Sequence, residues 1–316
     1  MKTTTWMAVV SAGATLALAA PATHAAAPTA TASTAKAAAQ PTFTTPQEAF
    51  KALVDAVRAG NGPELAKLMG KNSGWLSSGD KVSDRADWKR FLDAYDRKNS
   101  IRTEGDSKAV LEAGDGDWSF PAPVVKQGDR WVFDAEAGRE EVLNRRVGRN
   151  ELDTVQTLLA IVDAQREYAA ADPDHKGMSV YATKFRSSPG KKDGLYWPTK
   201  PGEPMSPLGP LVAQAVREGY GGAKTTGPVA YHGYYYRILT SQGKDAPGGA
   251  FNYVVNGKLF GGFAVVAWPA SYGNSGVKSF LVNHEGIVYE KDLGADSAAA
   301  ATKIKAFDPS DWKKVP

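Results

Sequence analysis

The chain predicts an α+β fold: N-terminal helices with a short antiparallel sheet, then a long helix packed on a C-terminal antiparallel β-meander. Three observations predict it. Apolar residues recur at helical spacing between about residues 46 and 95. The period then shortens to alternating runs from about residue 107, and the last hundred residues are β-rich segments separated by tight turns. The 316 residues are 42% hydrophobic and 23% charged, figures of a globular chain and not of a disordered one.

Residues 1–25 read as a signal peptide. Lys2 precedes an apolar stretch from Trp6 to Ala20, and Ala25 and Ala27 supply small residues for cleavage. The stretch is too short to span a bilayer, and no later segment reaches 18 apolar residues, so no transmembrane segment is expected in the mature chain. Residues 26–41, rich in Ala, Thr and Pro, read as a disordered tether. Signal peptide and tether together hold Lys2 and Lys36 and no acid, so 42–148 and 149–316, the two expected domains, are close to neutral. A periplasmic or secreted protein is the expectation. The chain has no cysteine, which excludes thiol nucleophiles, thiolate metal sites and a lipidated cysteine.

In the first domain, Thr45-Pro46-Gln47-Glu48 is a capping box with proline in the first turn, followed by Phe50, Leu53, Val54 and Val57. A short helix runs from Pro63 to Met69. A third starts near Asp84 and buries Trp88, Phe91, Leu92 and Tyr95. Strands are expected at 107–113, 119–126 and 130–134. Asp134 then caps a helix that Gly148 breaks, and Asn150 starts a longer one with Leu152, Val155, Leu159 and Val162 as its apolar stripe.

Seven prolines between residues 173 and 210 forbid long regular structure there. A short helix from Leu211 to Glu218 follows. Strands are then expected at 234–240, 251–255, 258–267, 277–282 and 287–291, with Asn256-Gly257 as a hairpin turn and a terminal helix over 295–307.

From Phe120 onward the chain resembles an uncharacterised family of secreted bacterial proteins, domain of unknown function 2950. The stretches that carry the resemblance are Arg130-Trp131-x-Phe133-Asp134, Arg145-Arg146-x-Gly148-Arg149-Asn150-Glu151, His232-Gly233-Tyr234-Tyr235, Gly261-Gly262-Phe263 and Trp268-Pro269-x-x-Tyr272-Gly273. The resemblance implies a family and no activity. Ala164-Gln165-x-x-Tyr168, the loop after it and Gly276-x-x-Ser279-Phe280 also resemble a type IV pilin or pseudopilin headgroup. Without a prepilin leader or an apolar N-terminal helix, filament assembly is not expected.

Chemistry is sparse. His175, His232 and His284 lack metal-ligand spacing, so no metal and no cofactor is expected. No basic run suits nucleic acid. Asp134, Glu136, Glu140 and Glu141 cluster where a strand enters a helix. Acids there complement the helix dipole, and a hydrolase would need two of them across a cleft. Arg145, Arg146, Arg149 and Glu151, with Arg166 further along, read as an ion-pair network between the two halves, ahead of an anion site. Ten of the twelve tyrosines follow residue 171. Tyr196 and Trp197 on the proline-rich loop, Tyr234, Tyr235 and Tyr236 on a strand, and Trp268 and Tyr272 at its neighbour are the candidate ligand surface, expected to lie together. The function expected is a non-catalytic binding or structural module of the envelope, with a cell-envelope glycan or protein as partner. The alternative is an envelope hydrolase of peptidoglycan or polysaccharide using Asp134 with Glu140 or Glu141.

Overall fold

The N-terminal layer begins at Gln40, whose side-chain amide donates to the carbonyls of Leu68 and Phe133, both at 2.9 Å. In the computed structural model the described residues are 40–71, 73–116, 118–171, 177, 179–220 and 229–316. The expected signal peptide, and the tether up to residue 39, lie outside them.

Thr45 Oγ1 accepts the Glu48 amide at 3.2 Å and starts helix α1 (Pro46–Arg58). Helix α2 (Gly62–Met69) and a 3-10 turn (Ser73–Leu76) follow. Asp80 caps α3 (Lys81–Arg97), one turn earlier than expected. Four antiparallel strands, β1 (Asn99–Glu104), β2 (Lys108–Ala113), β3 (Val124–Gln127) and β4 (Arg130–Phe133), pair in sequence order. The sequence does not announce β1, because most of its residues stay exposed and it lacks an apolar face. Phe50, Leu53, Leu68, Phe91, Leu111 and Phe133 make the core of this layer.

Helix α4 (Ala135–Ala171) runs 37 residues without interruption, so the break expected at Gly148 does not occur. Glycine lowers helix propensity but forbids nothing, and here the turns on either side are held by packing. The boundary expected between residues 148 and 149 therefore falls inside one helix. Its first half packs Val142 and Leu143 against the N-terminal core, and its second half puts Leu158, Ile161 and Val162 into the other. The described residues belong to one compact unit.

Of the expected stripe of α4, Val162 is buried and Val155 and Leu159 pack half-buried against the core, but Leu152 is 70% exposed. The buried face also takes in Thr154, Thr157, Leu158, Ile161, Gln165 and Tyr168. Polar residues lie inside where they find partners. Gln165 exchanges two hydrogen bonds with the backbone of Ala182, at 2.9 and 2.8 Å.

The second core is built on a five-stranded sheet in the order β13-β12-β11-β10-β5. After α5 (Gly209–Glu218) come β5 (Tyr234–Leu239) and three short pieces, β6 (Ser241–Gln242), β7 (Phe251–Asn252) and β8 (Val254–Val255). Then follow β9 (Lys258–Leu259), β10 (Ala264–Pro269), β11 (Lys278–Asn283) and β12 (Val288–Asp292). Helix α6 (Ser297–Lys303) and β13 (Lys313–Lys314) close the chain. Asn256-Gly257 does make the β8–β9 hairpin, both residues at positive φ, but that hairpin stands outside the main sheet. The long strand expected over 258–267 is split in two at Phe260–Phe263, and the terminal helix stops at Lys303. Residues 179–208 of the proline-rich segment are irregular apart from isolated bridges, and the Tyr181 amide donates to the Leu259 carbonyl at 2.8 Å.

Candidate functional site

Val142, Arg145, Arg146 and Arg149 follow one another at i, i+3, i+4 and i+7, so an unbroken α4 sets all four on one face. Opposite them α3 presents Asp84, Asp87, Trp88, Phe91 and Ala94 at the same period. Trp75 and Leu76 from the 3-10 turn and Trp118, Phe120 and Pro121 from the loop before β3 complete the walls. They line a half-open cavity of about 440 Å³. That is the size range of small-molecule pockets, with an aromatic lining and charges confined to a few positions.

The aromatic side is continuous. Phe91 stands 5.4 Å from Phe120, 5.8 Å from Trp118 and 6.2 Å from Trp88, centroid to centroid. Trp118 is 38% exposed, a large ring left open at the mouth.

The arginines divide into rim and wall. Arg145 donates to Glu141 at 2.6 Å and to the Ser119 carbonyl at 3.3 Å, with its guanidinium 6.0 Å from the Trp118 ring centre. Arg149 grips Asp87 with two hydrogen bonds, 2.9 and 2.8 Å, and Arg90 shares that carboxylate. Arg146 is buried. It donates to the Trp75 carbonyl at 3.0 Å and to Asn274 Oδ1 at 2.6 Å, and no carboxylate pairs with it among the described residues. Burial pushes its pKa down from the ordinary value, Asp84 and Asp87 oppose that shift, and Arg149 adds to it.

Arg146 also ties the layers together. Asn274, its acceptor, donates in turn to the Ser77 carbonyl at 2.8 Å, and Asn150 donates to the Ser275 carbonyl at 2.9 Å. Glu151 pairs with none of the arginines. Its Oε1 accepts the backbone N–H groups of Val277 and Lys278 at 3.0 and 2.9 Å. Arg166 reaches the carbonyls of His284 and Glu285 at 3.1 and 3.3 Å. The expected five-residue network is thus a set of separate contacts, most of them to backbone.

The candidate aromatic surface is dispersed as well. Tyr196 lies beside Arg186, and Trp197 stands 6.4 Å from Tyr168 on α4. Tyr234 is fully buried, donating to the Lys278 carbonyl at 2.8 Å, and Tyr236 reaches Thr154 on α4 at 3.4 Å. Burial holds both phenols far above their ordinary pKa. Tyr235, which alternation turns to the other face of the sheet, pairs with Trp268 at 5.9 Å, and Tyr272 bonds Asp292 at 3.2 Å. Trp197 and Trp268 are both half-buried.

The carboxylates of the hydrolase alternative are occupied or outward. Asp134 Oδ1 accepts the Ala137 amide at 3.1 Å as a helix cap, Glu141 holds Arg145, and Glu140 is exposed.

His232 occupies a left-handed turn with Gly233, its two ring nitrogens 3.6 Å from Asp153 and 3.7 Å from Glu218. His284 lies beside Tyr253 and Phe263, and His175 is outside the described residues.

The residues that sequence reasoning misses are Trp75, Trp88 and Trp118 as a group. Each reads alone as an ordinary core or loop aromatic. Continuity of α4 through Gly148 adds Arg149 to the face that Val142, Arg145 and Arg146 share.

A family model described as Protein of unknown function (DUF2950) matches residues 40–315. No curated protein and no solved structure matches the chain.

Proposed function

The chain belongs to that family of unknown function, and on this premise we propose that it is an exported, non-catalytic binding module of the cell envelope. Its ligand site is the cavity between α3 and α4. The observation that carries the reading is a walled, aromatic cavity of about 440 Å³ whose mouth leaves Trp118 open. Such a hollow loses dispersion contacts on every wall, which a fold free of other demands would fill. The nearby acids support binding over hydrolysis, because Asp134 caps α4 and Glu141 is paired with Arg145. Export rests on the charged, apolar and small-residue order of residues 1–25.

Two measurements test it. Fractionation of cells expressing the full chain should find a protein lacking the first 25 or so residues outside the cytoplasm. The neutral dye N-phenyl-1-naphthylamine should bind the mature protein once, and Ala94→Trp, which fills the cavity from α3, should abolish that binding. Unaltered dye binding in Ala94→Trp would place the site elsewhere.

A further inference from the structure

We infer that the ligand of this cavity is an anion on an apolar, ring-sized body, a carboxylate or sulfonate carried by an aromatic or branched aliphatic group, with Arg146 as its counter-charge. The inference rests on the cavity being the binding site and adds the chemical class.

The body follows from the walls. Trp88, Phe91 and Trp118 offer ring faces and edges, and Val142 and Pro121 offer aliphatic surface. A flat or branched apolar group gains contact on all sides there, while a sugar would leave its hydroxyls facing carbon.

The charge follows from a local imbalance. Four arginines line the cavity against two aspartates among the described residues. Both aspartates are already engaged. Asp84 accepts from Ser77 Oγ at 2.7 Å, from Ser78 Oγ at 2.6 Å and from the Ser78 amide at 2.9 Å. Asp87 is held by Arg149 and Arg90. Arg146 hydrogen-bonds two neutral oxygens only, Asp84 and Asp87 act on its charge without touching it, and the rest of its five N–H donors have no partner among the described residues. Taking a guanidinium out of water is costly, and neutral carbonyls return only part of that cost. An anion entering the cavity supplies the missing Coulomb attraction in a poorly solvated place, where it is strongest. A guanidinium fork also matches the two oxygens of a carboxylate or the three of a sulfonate. Arg145 is paired with Glu141, but Arg90 and Arg149 share the one Asp87 carboxylate, which leaves an excess positive charge along the way in.

The test uses two dyes with the same ring body. 8-Anilinonaphthalene-1-sulfonate carries one negative charge, and N-phenyl-1-naphthylamine carries none. The anionic dye should bind the mature protein one to one, at least tenfold tighter than the neutral dye, and added salt should weaken only the anionic dye. Arg146→Gln should bring the anionic dye down to the level of the neutral one, so that the ratio of the two affinities falls to about one. Should Arg146→Gln fail to fold, Arg145→Gln, at the exposed rim, should still narrow the gap between the dyes severalfold. If Ala94→Trp removes both dyes but the wild-type protein binds them equally, the charge assignment is overturned and the binding-module reading stands. If Ala94→Trp removes neither, the site itself is wrong. An unchanged preference for the anion in Arg146→Gln and Arg145→Gln alike would also overturn the assignment.

Discussion

The two cores of this chain are built from similar residues and end differently. Around the five-stranded sheet the aromatics close on each other: Tyr234, Tyr253 and Phe263 have no exposed surface, and Phe280 and Phe307 have 1%. Around α3 and the first half of α4, comparable rings leave a hollow, with Trp118 38% exposed. The difference teaches where rings are structure and where they are a surface for something else. Tyrosine density marks the C-terminal half as the place to look, yet that density is packing. The hollow lies where tryptophans face arginines.

The comparison breaks first under truncation. Phe263→Ala in the closed core should cost about 3–5 kcal/mol in a urea melt, whereas Trp118→Ala at the open mouth should cost about 1 kcal/mol or less. Equal losses would mean that the mouth is as tightly built as the core.

Two glycines sharpen it within a single helix. A Cβ at Gly138 would sit 2.5 Å from the Cβ and 2.7 Å from the Cα of Ala122, so Gly138→Ala should destabilise by about 1–3 kcal/mol. Gly148, between Arg146 and Arg149, has nothing within 4 Å of such a Cβ, and Gly148→Ala should stabilise by about 0.5–1 kcal/mol. Opposite signs for one substitution in one helix can be read by thermal melting. A loss at both sites would show that α4 near the arginines is held more closely than its open surroundings indicate.

These glycines also show what is legible in the sequence. The α+β class, the Thr45 and Asp134 caps and the Asn256-Gly257 hairpin are local chemistry, set by a few neighbouring residues, and they are readable. The run through Gly148 is not, because a helical glycine costs only about 1 kcal/mol and packing from two layers outweighs it. The polar part of the buried face of α4 escapes for a related reason, although Val155, Leu159 and Val162 do face the core. Thr157 and Gln165 are inside because local or distant carbonyls satisfy them, and Leu152 is outside. The cavity depends on α3, the first half of α4 and the loop carrying Trp118, Phe120 and Pro121, which meet only in the folded chain. A pattern confined to one segment cannot show it.

Smaller effects follow. Glu151→Ala leaves the Val277 and Lys278 amides without their acceptor and should cost about 1–2 kcal/mol. Glu151→Gln, which keeps an oxygen there, should recover most of it. In the proline-rich segment the Lys184 ammonium, then the Ser188 amide, lower the Asp193 carboxyl to about 2. A depressed pKa stabilises above the unfolded value near 4, and that stability is lost as pH falls toward about 2. Hydrogen exchange at Ser188 should therefore accelerate between about pH 4 and pH 2, while the buried sheet holds its protection longer.

Hydrogen exchange of the mature protein with and without 8-anilinonaphthalene-1-sulfonate tests the central claim most directly. Protection gained over residues 84–94, 118–121 and 142–149, with the five-stranded sheet unchanged, is the predicted result. Protection gained instead over 234–236 and 264–272 would contradict it and return the ligand to the tyrosine-rich sheet.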